Sequence, residues 1–253
     1  SNWFFKIFFQ KCSGLERAFL ILSPLYNRLM CGRYSLAASK VKIAQEFRLQ
    51  ETHLKELKPH YNIAPSQPVP VLLEAPEPRV ELFRWGLIPS WAKDPSIGNR
   101  MINARKETLV EKPSFRSSFQ KHRCLILADG FFEWKQEGRG KTPYYIRLKS
   151  RAPFGFAGLW SRWIDPNKKE IYSCTIITGE PNGLLKSIHN RAPVILLREK
   201  RDEWLDPSNH DTSGLMKLLE PYPASEMEAY PVSRIVNDPD NNKPECIEPA
   251  VIA

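Results

Sequence analysis

Proline is the feature that most constrains how this chain can fold. The sequence has 22 prolines in 253 residues, nearly twice the usual share of about 5%. Because proline lacks a backbone N–H and clashes with the preceding helical turn, it ends helices and is excluded from central strands. The sequence therefore predicts short elements joined by many turns. A chain of this length can bury a sizeable core, and we expect it to form one domain.

Apolar runs bounded by turn residues predict most of the strands. "VPVLLEA" and "RVELFRW", joined at Pro76-Glu77-Pro78, predict one hairpin, and "RCLILADGFFEWKQ" followed by "EGRGK" and "TPYYIRL" predicts a second. Further strands are predicted at "FGFAGLWSRW", "IYSCTIIT", "APVILL" and "EAYPV".

Helical spacing of apolar residues predicts a few helices. In "SKVKIAQEFRL" the residues Val41, Ala44 and Phe47 would share one helical face, and further helices are expected near residues 105–120, 182–188 and 211–220. Adjacent strands with segregated helices indicate an α+β protein. We predict a single domain built on a curled, barrel-like antiparallel β-sheet with a few peripheral helices.

The charge of the chain favours an anionic partner. Lysines and arginines number 37 against 28 acidic residues, which gives a net charge of +9. Residues 1–29 hold four basic residues and one acidic residue, so the rest of the chain still carries +6. A positive surplus attracts nucleic acid through its phosphates. A basic protein without such a partner is the alternative.

Cysteine and histidine usage argues against a disulfide framework or a metal site. The five cysteines are scattered without a C-x-x-C pair, and the five histidines lack metal-ligand spacing. The sequence therefore implies no cofactor and no bound metal, and it favours a reducing compartment. We expect a cytoplasmic, nucleoid-associated protein in a bacterium or a nuclear protein in a eukaryote.

No membrane association is expected. The chain contains no run of about 18 apolar residues that could span a bilayer. The apolar runs within residues 1–29 are interrupted by Lys11, Glu16 and Arg17, which argues against a signal peptide.

Familiar catalytic motifs are absent from the sequence. "GRGKT" ends like a phosphate-binding loop, but Lys135 stands where the first glycine is required. Several polar residues in apolar segments remain, and each has an ordinary structural explanation. Glu133 alone would be a strand-edge residue facing solvent, Asn103 could cap a helix that begins near Arg105, and His189 could be structural. The tryptophans Trp85 and Trp91 would usually lie in the core.

Taken together, four segments decide between these explanations. "MCGRY", "INARKET", "GFFEW" and "SIHNRAPV" occur in an order and spacing that resemble the SOS-response-associated peptidase family, whose members shield abasic sites in DNA by crosslinking to them. The resemblance covers residues 30–236. Residues 1–29 are then an extension foreign to the family, either an upstream or vector-derived segment or a pro-segment, and residues 237–253 form an irregular C-terminal tail.

The resemblance implies a set of functional residues. In the family the mature chain begins with cysteine, so Met30 would be removed and Cys31 would become the first residue. The implied catalytic residues are Cys31, Asn103, Glu133 and His189. The implied DNA contacts, including those from loops that border the DNA channel, are Arg33, Asn62, Pro65, Trp85, Arg105, Thr178 and Arg191.

The implied chemistry suits these residue types. An abasic site exists partly as an open-chain aldehyde, with which the α-amine of an N-terminal cysteine can form an imine. The thiol can then close a five-membered thiazolidine, which is an intramolecular step. Glu133 and His189 are suited to the proton transfers, and Asn103 would orient the substrate. We therefore expect the partner to be single-stranded DNA with abasic sites, including single-strand/double-strand junctions, bound by a monomer.

Two other functions stay open. A cysteine peptidase would use Cys31 as nucleophile and His189 as base, and it could remove residues 1–29 by self-cleavage. A non-catalytic binder of single-stranded DNA would place arginines on the backbone and stack aromatic rings on bases.

Overall fold

A computed structural model of the protein describes residues 32–74 and 77–250. The strands in these two ranges are β1 (Tyr34–Leu36), β2 (His60–Ile63), β3 (Pro68–Leu73), β4 (Arg79–Trp85), β5 (Asn103–Arg105), β6 (Arg123–Ala128), β7 (Gly130–Glu137), β8 (Gly140–Leu148), β9 (Phe154–Ile164), β10 (Glu170–Gly179), β11 (Ala192–Pro193) and β12 (Met227–Pro231). The α-helices are α1 (Lys40–Phe47), α2 (Pro113–Lys121), α3 (Arg201–Leu205) and α4 (Thr212–Leu218).

Five strands close into a barrel. Strands β10, β4, β3, β6 and β9 pair in that order, and β9 pairs again with β10. The pairings are antiparallel except that of β4 with β10, which is parallel. At the carboxyl end of β10, β5 is added in parallel and β11 in antiparallel orientation. The predicted α+β fold with a barrel-like sheet is confirmed, although the closed barrel is mixed rather than wholly antiparallel.

A second, antiparallel sheet packs against the barrel. Its strand order is β12-β8-β7-β1-β2, so β1 is an inner strand with partners on both sides. The fully buried ring of Tyr34 on β1 lies 5.2 Å from Trp85 and 5.7 Å from Phe156, both of which belong to barrel strands. Phe131 on β7 makes a further edge-to-face contact with Phe156. These aromatic contacts fix the second sheet, and with it β1 and β7, against the barrel.

The helix predicted at "SKVKIAQEFRL" is confirmed as α1. The side chain of Ser39 caps its first turn by accepting a hydrogen bond from the backbone N–H of Lys42. The buried face consists of Ile43, Ala44 and Phe47. Val41, which the sequence placed on this face, is 47% exposed, because the buried stripe runs through Ile43 instead.

Some predicted elements are shorter than expected. The helix predicted over 105–120 is limited to α2, which begins at Pro113, a residue favoured in the first turn. The helix predicted over 182–188 is a single 3-10 turn, Leu185–Ser187. "APVILL" contributes only the two residues of β11. None of the helices in the described ranges is long and apolar enough to cross a membrane.

The segment "RCLILADGFFEWKQ" is divided into two strands that lie in different sheets. The break falls at Asp129, whose carboxylate accepts hydrogen bonds from Ser35 Oγ at 2.6 Å and from the backbone N–H groups of Ala37 and Ala38 at 2.6 and 2.7 Å. Burial raises the pKa of this carboxyl, and the three hydrogen bonds oppose that shift. Asp129 therefore ties the start of β7 to the segment that follows β1.

We predict that Gly130→Ala destabilises the fold, because a Cβ at this position would overlap the ring and hydroxyl of Tyr145. Overpacking of this kind costs about 1–3 kcal/mol, which urea unfolding would detect. Gly183→Ala is the matched control, since no atom lies within 4 Å of its added Cβ. Equal stability of the two variants would contradict the packing described for β7.

Candidate functional site

The predicted nucleophile, Cys31, lies outside the described residues, which begin at Gly32. The backbone just after it is well placed by pairing with β7. The N–H of Phe132 donates to the carbonyl of Arg33 at 3.0 Å, which extends the antiparallel register of β1 and β7 beyond the end of β1. One residue further, that register would bring Gly32 opposite Glu133. We therefore expect the backbone of Glu133 to lie across from the residue to which Cys31 is bonded.

Glu133 is buried within the second sheet. It is 4% exposed and pairs across the sheet with Tyr144 of β8. The alternative that Glu133 is a strand-edge residue facing solvent is therefore wrong. A carboxylate in such surroundings stays charged only when hydrogen bonds or opposite charges compensate for lost hydration.

Asn103 and Arg105 are positioned by β10. In the parallel register of β5 with β10, Asn103 pairs with Ile176 and Arg105 with Thr178. The alternative that Asn103 caps a helix is wrong, because Asn103 lies in a strand and the 3-10 turn Lys106–Thr108 begins without a side-chain cap. Arg105 is exposed, so its guanidinium is accessible to a ligand.

Thr178 and Arg191 meet at the same end of β10. Arg191 precedes β11, and β11 pairs with β10 through Thr178 and Pro193. The Arg191 Nη2 donates to the carbonyl oxygen of Thr178 at 2.7 Å. Thr178 itself is fully buried, and within the described ranges its Oγ1 has no hydrogen-bond partner. Two predicted phosphate contacts, Arg105 and Arg191, are therefore gathered around a single residue of β10.

Glu107 is a site residue that the sequence analysis missed. Its two carboxylate oxygens accept hydrogen bonds from Nη1 and Nη2 of Arg191 at 2.7 and 2.8 Å. These hydrogen bonds hold the pKa of the Glu107 carboxyl below its usual range. The acidic residue in "INARKET" was the available signal, but nothing in the sequence indicated that it pairs with an arginine 84 positions away.

His189 is half-buried beside Arg191. Its Nδ1 lies 3.2 Å from the backbone N–H nitrogen and 3.3 Å from the carbonyl oxygen of Arg191. Neutral Nδ1 can accept from the first, and protonated Nδ1 can donate to the second. Burial lowers the pKa of His189, and the positive charge of Lys141 lowers it further. Among the described residues no hydrogen bond is formed by Nε2, which leaves that nitrogen for a substrate.

Arg33 and Asn62 hold the C-terminal segment in place. Arg33 Nη1 donates at 2.8 Å both to Asn62 Oδ1 and to the carbonyl of Val236. Asn62 Nδ2 donates to the carbonyls of Val236, Asp238 and Asn241 at 3.2, 3.0 and 2.9 Å. These hydrogen bonds give Arg33 and Asn62 a structural role within the protein. That the two residues also contact DNA stays a prediction.

The expected irregular tail contacts these two side chains through Asn237, Asp238 and Asn241. It contains a 3-10 turn, Pro244–Cys246, in which Cys246 is fully buried.

Trp85 and Pro65 are the remaining predicted DNA contacts; Trp85 ends β4, and Pro65 lies between β2 and β3. Trp85 is fully buried, and its Nε1 donates to the carbonyl of Ile102 at 2.9 Å, next to Asn103. It therefore supports β5 from within the core and presents no ring surface to a base. Pro65 is half-buried. Trp91, which was expected in the core, is 58% exposed.

The cysteines within the described ranges are poor nucleophiles. The three that lie there, Cys124, Cys174 and Cys246, are buried and unpaired. Burial raises the pKa of the Cys124 and Cys174 thiols, which disfavours the nucleophilic thiolate. No group of three or more potential ligands among these residues could hold a metal ion.

Comparison with known proteins identifies the family. The sequence profile of the family described as SOS response associated peptidase (SRAP) matches residues 30–239. The chain belongs to this family. The matched SRAP region begins one residue before Cys31 and takes in every predicted catalytic residue.

Named SRAP relatives support the same relationship. The chain is 49% identical over 222 residues to "Abasic site processing protein YoqW" of Bacillus subtilis (strain 168), covering 87% of this chain and 99% of that protein. It is 33% identical over 267 residues to "Abasic site processing protein HMCES" of Xenopus tropicalis, covering 88% of this chain and 79% of that protein. A crystal structure of a Bacteroides thetaiotaomicron protein has a TM-score of 0.79 and 32% identity, covering 87% of this chain and 100% of that one.

We predict that His189 titrates below the ordinary histidine range and that Lys141→Gln raises its pKa. The reason is that removing a nearby positive charge makes the imidazolium form less unfavourable. NMR titration of the imidazole would measure both values. Lys149→Gln is the control, because the Lys149 ammonium donates to the carbonyl of Ser225 and does not contribute to the lowered pKa of His189. The surroundings described for His189 are wrong if its pKa is not lowered or if both substitutions shift it equally.

Proposed function

We propose that this protein recognises abasic sites in single-stranded DNA, including sites at single-strand/double-strand junctions, and joins them covalently to Cys31. The observation that carries the proposal is the hydrogen bond from the N–H of Phe132 to the carbonyl of Arg33, which aligns β7 with the segment that leads to Cys31. Continued by one residue, this register would bring the buried Glu133 opposite Gly32, where it would serve Cys31 as an acid/base group. Membership of the SRAP family and the names of the abasic site processing relatives support the same substrate.

The covalent step requires a free amine on Cys31. An α-amine has an ordinary pKa of about 7.7 to 8.0, so a useful fraction is neutral near pH 7. The amine nitrogen attacks the aldehyde carbon of the opened sugar, and loss of water gives an imine. The thiol then adds to the imine carbon, its proton passes to the nitrogen, and a thiazolidine ring results. An amide nitrogen cannot take part, since its lone pair is delocalised into the carbonyl.

Three side chains would assist these proton transfers. Glu133 acts as general acid/base at the amine, and its burial strengthens its interactions with the reacting groups. His189, whose pKa is lowered, is neutral near pH 7 and offers Nε2 to the sugar oxygen or the phosphate side. Asn103, aligned beside Ile176 of β10, orients the opened sugar.

The DNA backbone would be held near the end of β10. Arg105 is exposed there, and Arg191 is anchored to the carbonyl of Thr178. The charge of +6 that remains without residues 1–29 favours a polyanionic partner. A nucleotide that has lost its base is extruded with little loss of stacking energy, which favours abasic over intact sites.

A cysteine peptidase is the second candidate function. The description of the matched family as a peptidase favours it, and Cys31 with His189 would supply a nucleophile and a base. This activity would also account for removal of the residues before Cys31. Such removal is required by the first proposal, since the crosslink needs the free amine.

We predict that the stable adduct depends on both groups of Cys31. With protein that begins at Cys31 and an oligonucleotide carrying one abasic site, denaturing electrophoresis should reveal a heat-stable adduct. Cys31→Ala should abolish it, whereas Cys31→Ser should give at most a heat-reversible imine that a reductant can trap. A heat-stable adduct of normal yield from Cys31→Ala would refute the assignment.

The N-terminal segment provides the control for this experiment. A preparation that retains residues 1–29 should be inert unless its intact mass reveals cleavage before Cys31. An uncut long form that makes the adduct at full yield would exclude the thiazolidine mechanism.

We also predict that binding and chemistry separate on mutation. Arg105→Ala should weaken binding to single-stranded DNA and make its salt dependence shallower by about 0.7, the value for one lost phosphate contact. Glu133→Gln should slow crosslinking and leave affinity for intact strands nearly unchanged. Lys42→Ala removes the same charge from an exposed position on α1 and should change neither property much. A loss of affinity in Glu133→Gln as large as that in Arg105→Ala would exclude a catalytic role for Glu133.

A further inference from the structure

We propose that Glu107 is a carboxylate latch that occupies Arg191 until a DNA phosphate displaces it. The inference rests on the proposed function, in which Arg191 contacts the DNA backbone. It assigns to Glu107 a role in setting the affinity and selectivity of that contact. The proposal is based on how many N–H groups of the Arg191 guanidinium already donate hydrogen bonds within the protein.

The guanidinium of Arg191 has few donors left for a ligand. An arginine carries five N–H donors. Two of those on Arg191 donate to the carboxylate of Glu107, and a third donates to the carbonyl of Thr178. The Nε donor is buried and has no partner among the described residues. One hydrogen on Nη1 remains, which is too few for the two-pronged contact by which arginine recognises phosphate.

Differences in exposure indicate which partner would move. The side chain of Arg191 is 16% exposed and is held by Thr178, whereas that of Glu107 is 48% exposed. Glu107 also borders an open cavity of about 340 Å³, which Gly179 and Ala192 line as well. The carboxylate can therefore rotate into water while the guanidinium keeps its place. A phosphate would then take over the two Nη donors that the carboxylate leaves.

Displacement of Glu107 by a DNA phosphate would also affect the other residues of the site. The backbone of Arg191 contacts His189 Nδ1, and Glu107 also interacts electrostatically with Arg105. When Glu107 is displaced, its negative charge would therefore move away from both Arg105 and Arg191 as the DNA backbone binds. The site would reject anions that cannot displace the Glu107 carboxylate from Nη1 and Nη2 of Arg191.

The test is the affinity of the protein that begins at Cys31 for a fluorescently labelled oligothymidylate without any lesion. Because the Glu107 side chain is half exposed, its ion pair is weak, so Glu107→Gln should tighten binding by roughly two- to fivefold. Glu111→Gln is the matched control, because it removes an equal charge four positions further on, at another exposed site. In an Arg191→Ala background Glu107→Gln should produce no gain, since there is no guanidinium left to release.

Three results would overturn the latch: weaker or unchanged binding by Glu107→Gln, an equal gain from Glu111→Gln, or a gain that persists with Arg191→Ala. A protein that does not bind the oligonucleotide at all would refute both the latch and the proposed function. Otherwise unsubstituted protein that begins at Cys31, binds intact strands and forms no adduct with abasic DNA would refute only the covalent chemistry. The latch would then still be decided by the affinities of the variants.

Discussion

The pairing of β10 with four neighbours is the constraint on which the rest of the structure depends. Along most of its length β10 completes the barrel between β9 and β4, and at its carboxyl end it holds β5 and β11. A strand buried in this way has its register fixed, because a one-residue slip would turn every core side chain outward. The same register brings Asn103, Arg105 and Arg191 to one place.

The part of the candidate site near β1 depends on a second constraint, the aromatic contact between the two sheets. Tyr34 packs its ring against Trp85, and the indole of Trp85 is hydrogen-bonded to the backbone just before Asn103. The segment from which Cys31 extends and the strand that carries Asn103 are thereby connected through one buried tryptophan. Substitution of Trp85 would disturb both without any contact between that ring and DNA.

Much of the fold could be predicted from the sequence, because strand and turn signals are local. The hairpin of β3 and β4, the helix α1 and the barrel-like α+β class follow from periodicity and from proline. The division of "RCLILADGFFEWKQ" between two sheets could not be predicted. It results from the hydrogen bonds of Asp129 to a segment more than 90 residues earlier, namely Ala37 and Ala38. The short β11 and the 3-10 turn at Leu185 likewise reflect tertiary contacts rather than local propensity.

The candidate site was predictable only as a set of residue types. The motifs indicated Glu133, Asn103 and His189, but each alone had an ordinary structural explanation, and only the strand pairings favour one over another. Glu107 was missed because its importance lies in an ion pair between distant segments. Arg33 and Asn62 illustrate the opposite case, since residues expected at the DNA are engaged with the carbonyls of the C-terminal segment.

The contacts of β1 also determine when during folding a working site can exist. Its partner β7 lies almost 100 residues further along the chain, and Arg33 contacts Val236, 203 positions away. Contacts between such distant segments form late, after the entropy of closing long loops has been overcome. During synthesis the first residues leave the ribosome long before their partners do. Under the proposed function, a nascent or truncated chain would thus display Cys31 before Glu133 and His189 are in place, and crosslinking to DNA would arise only when the whole domain is complete.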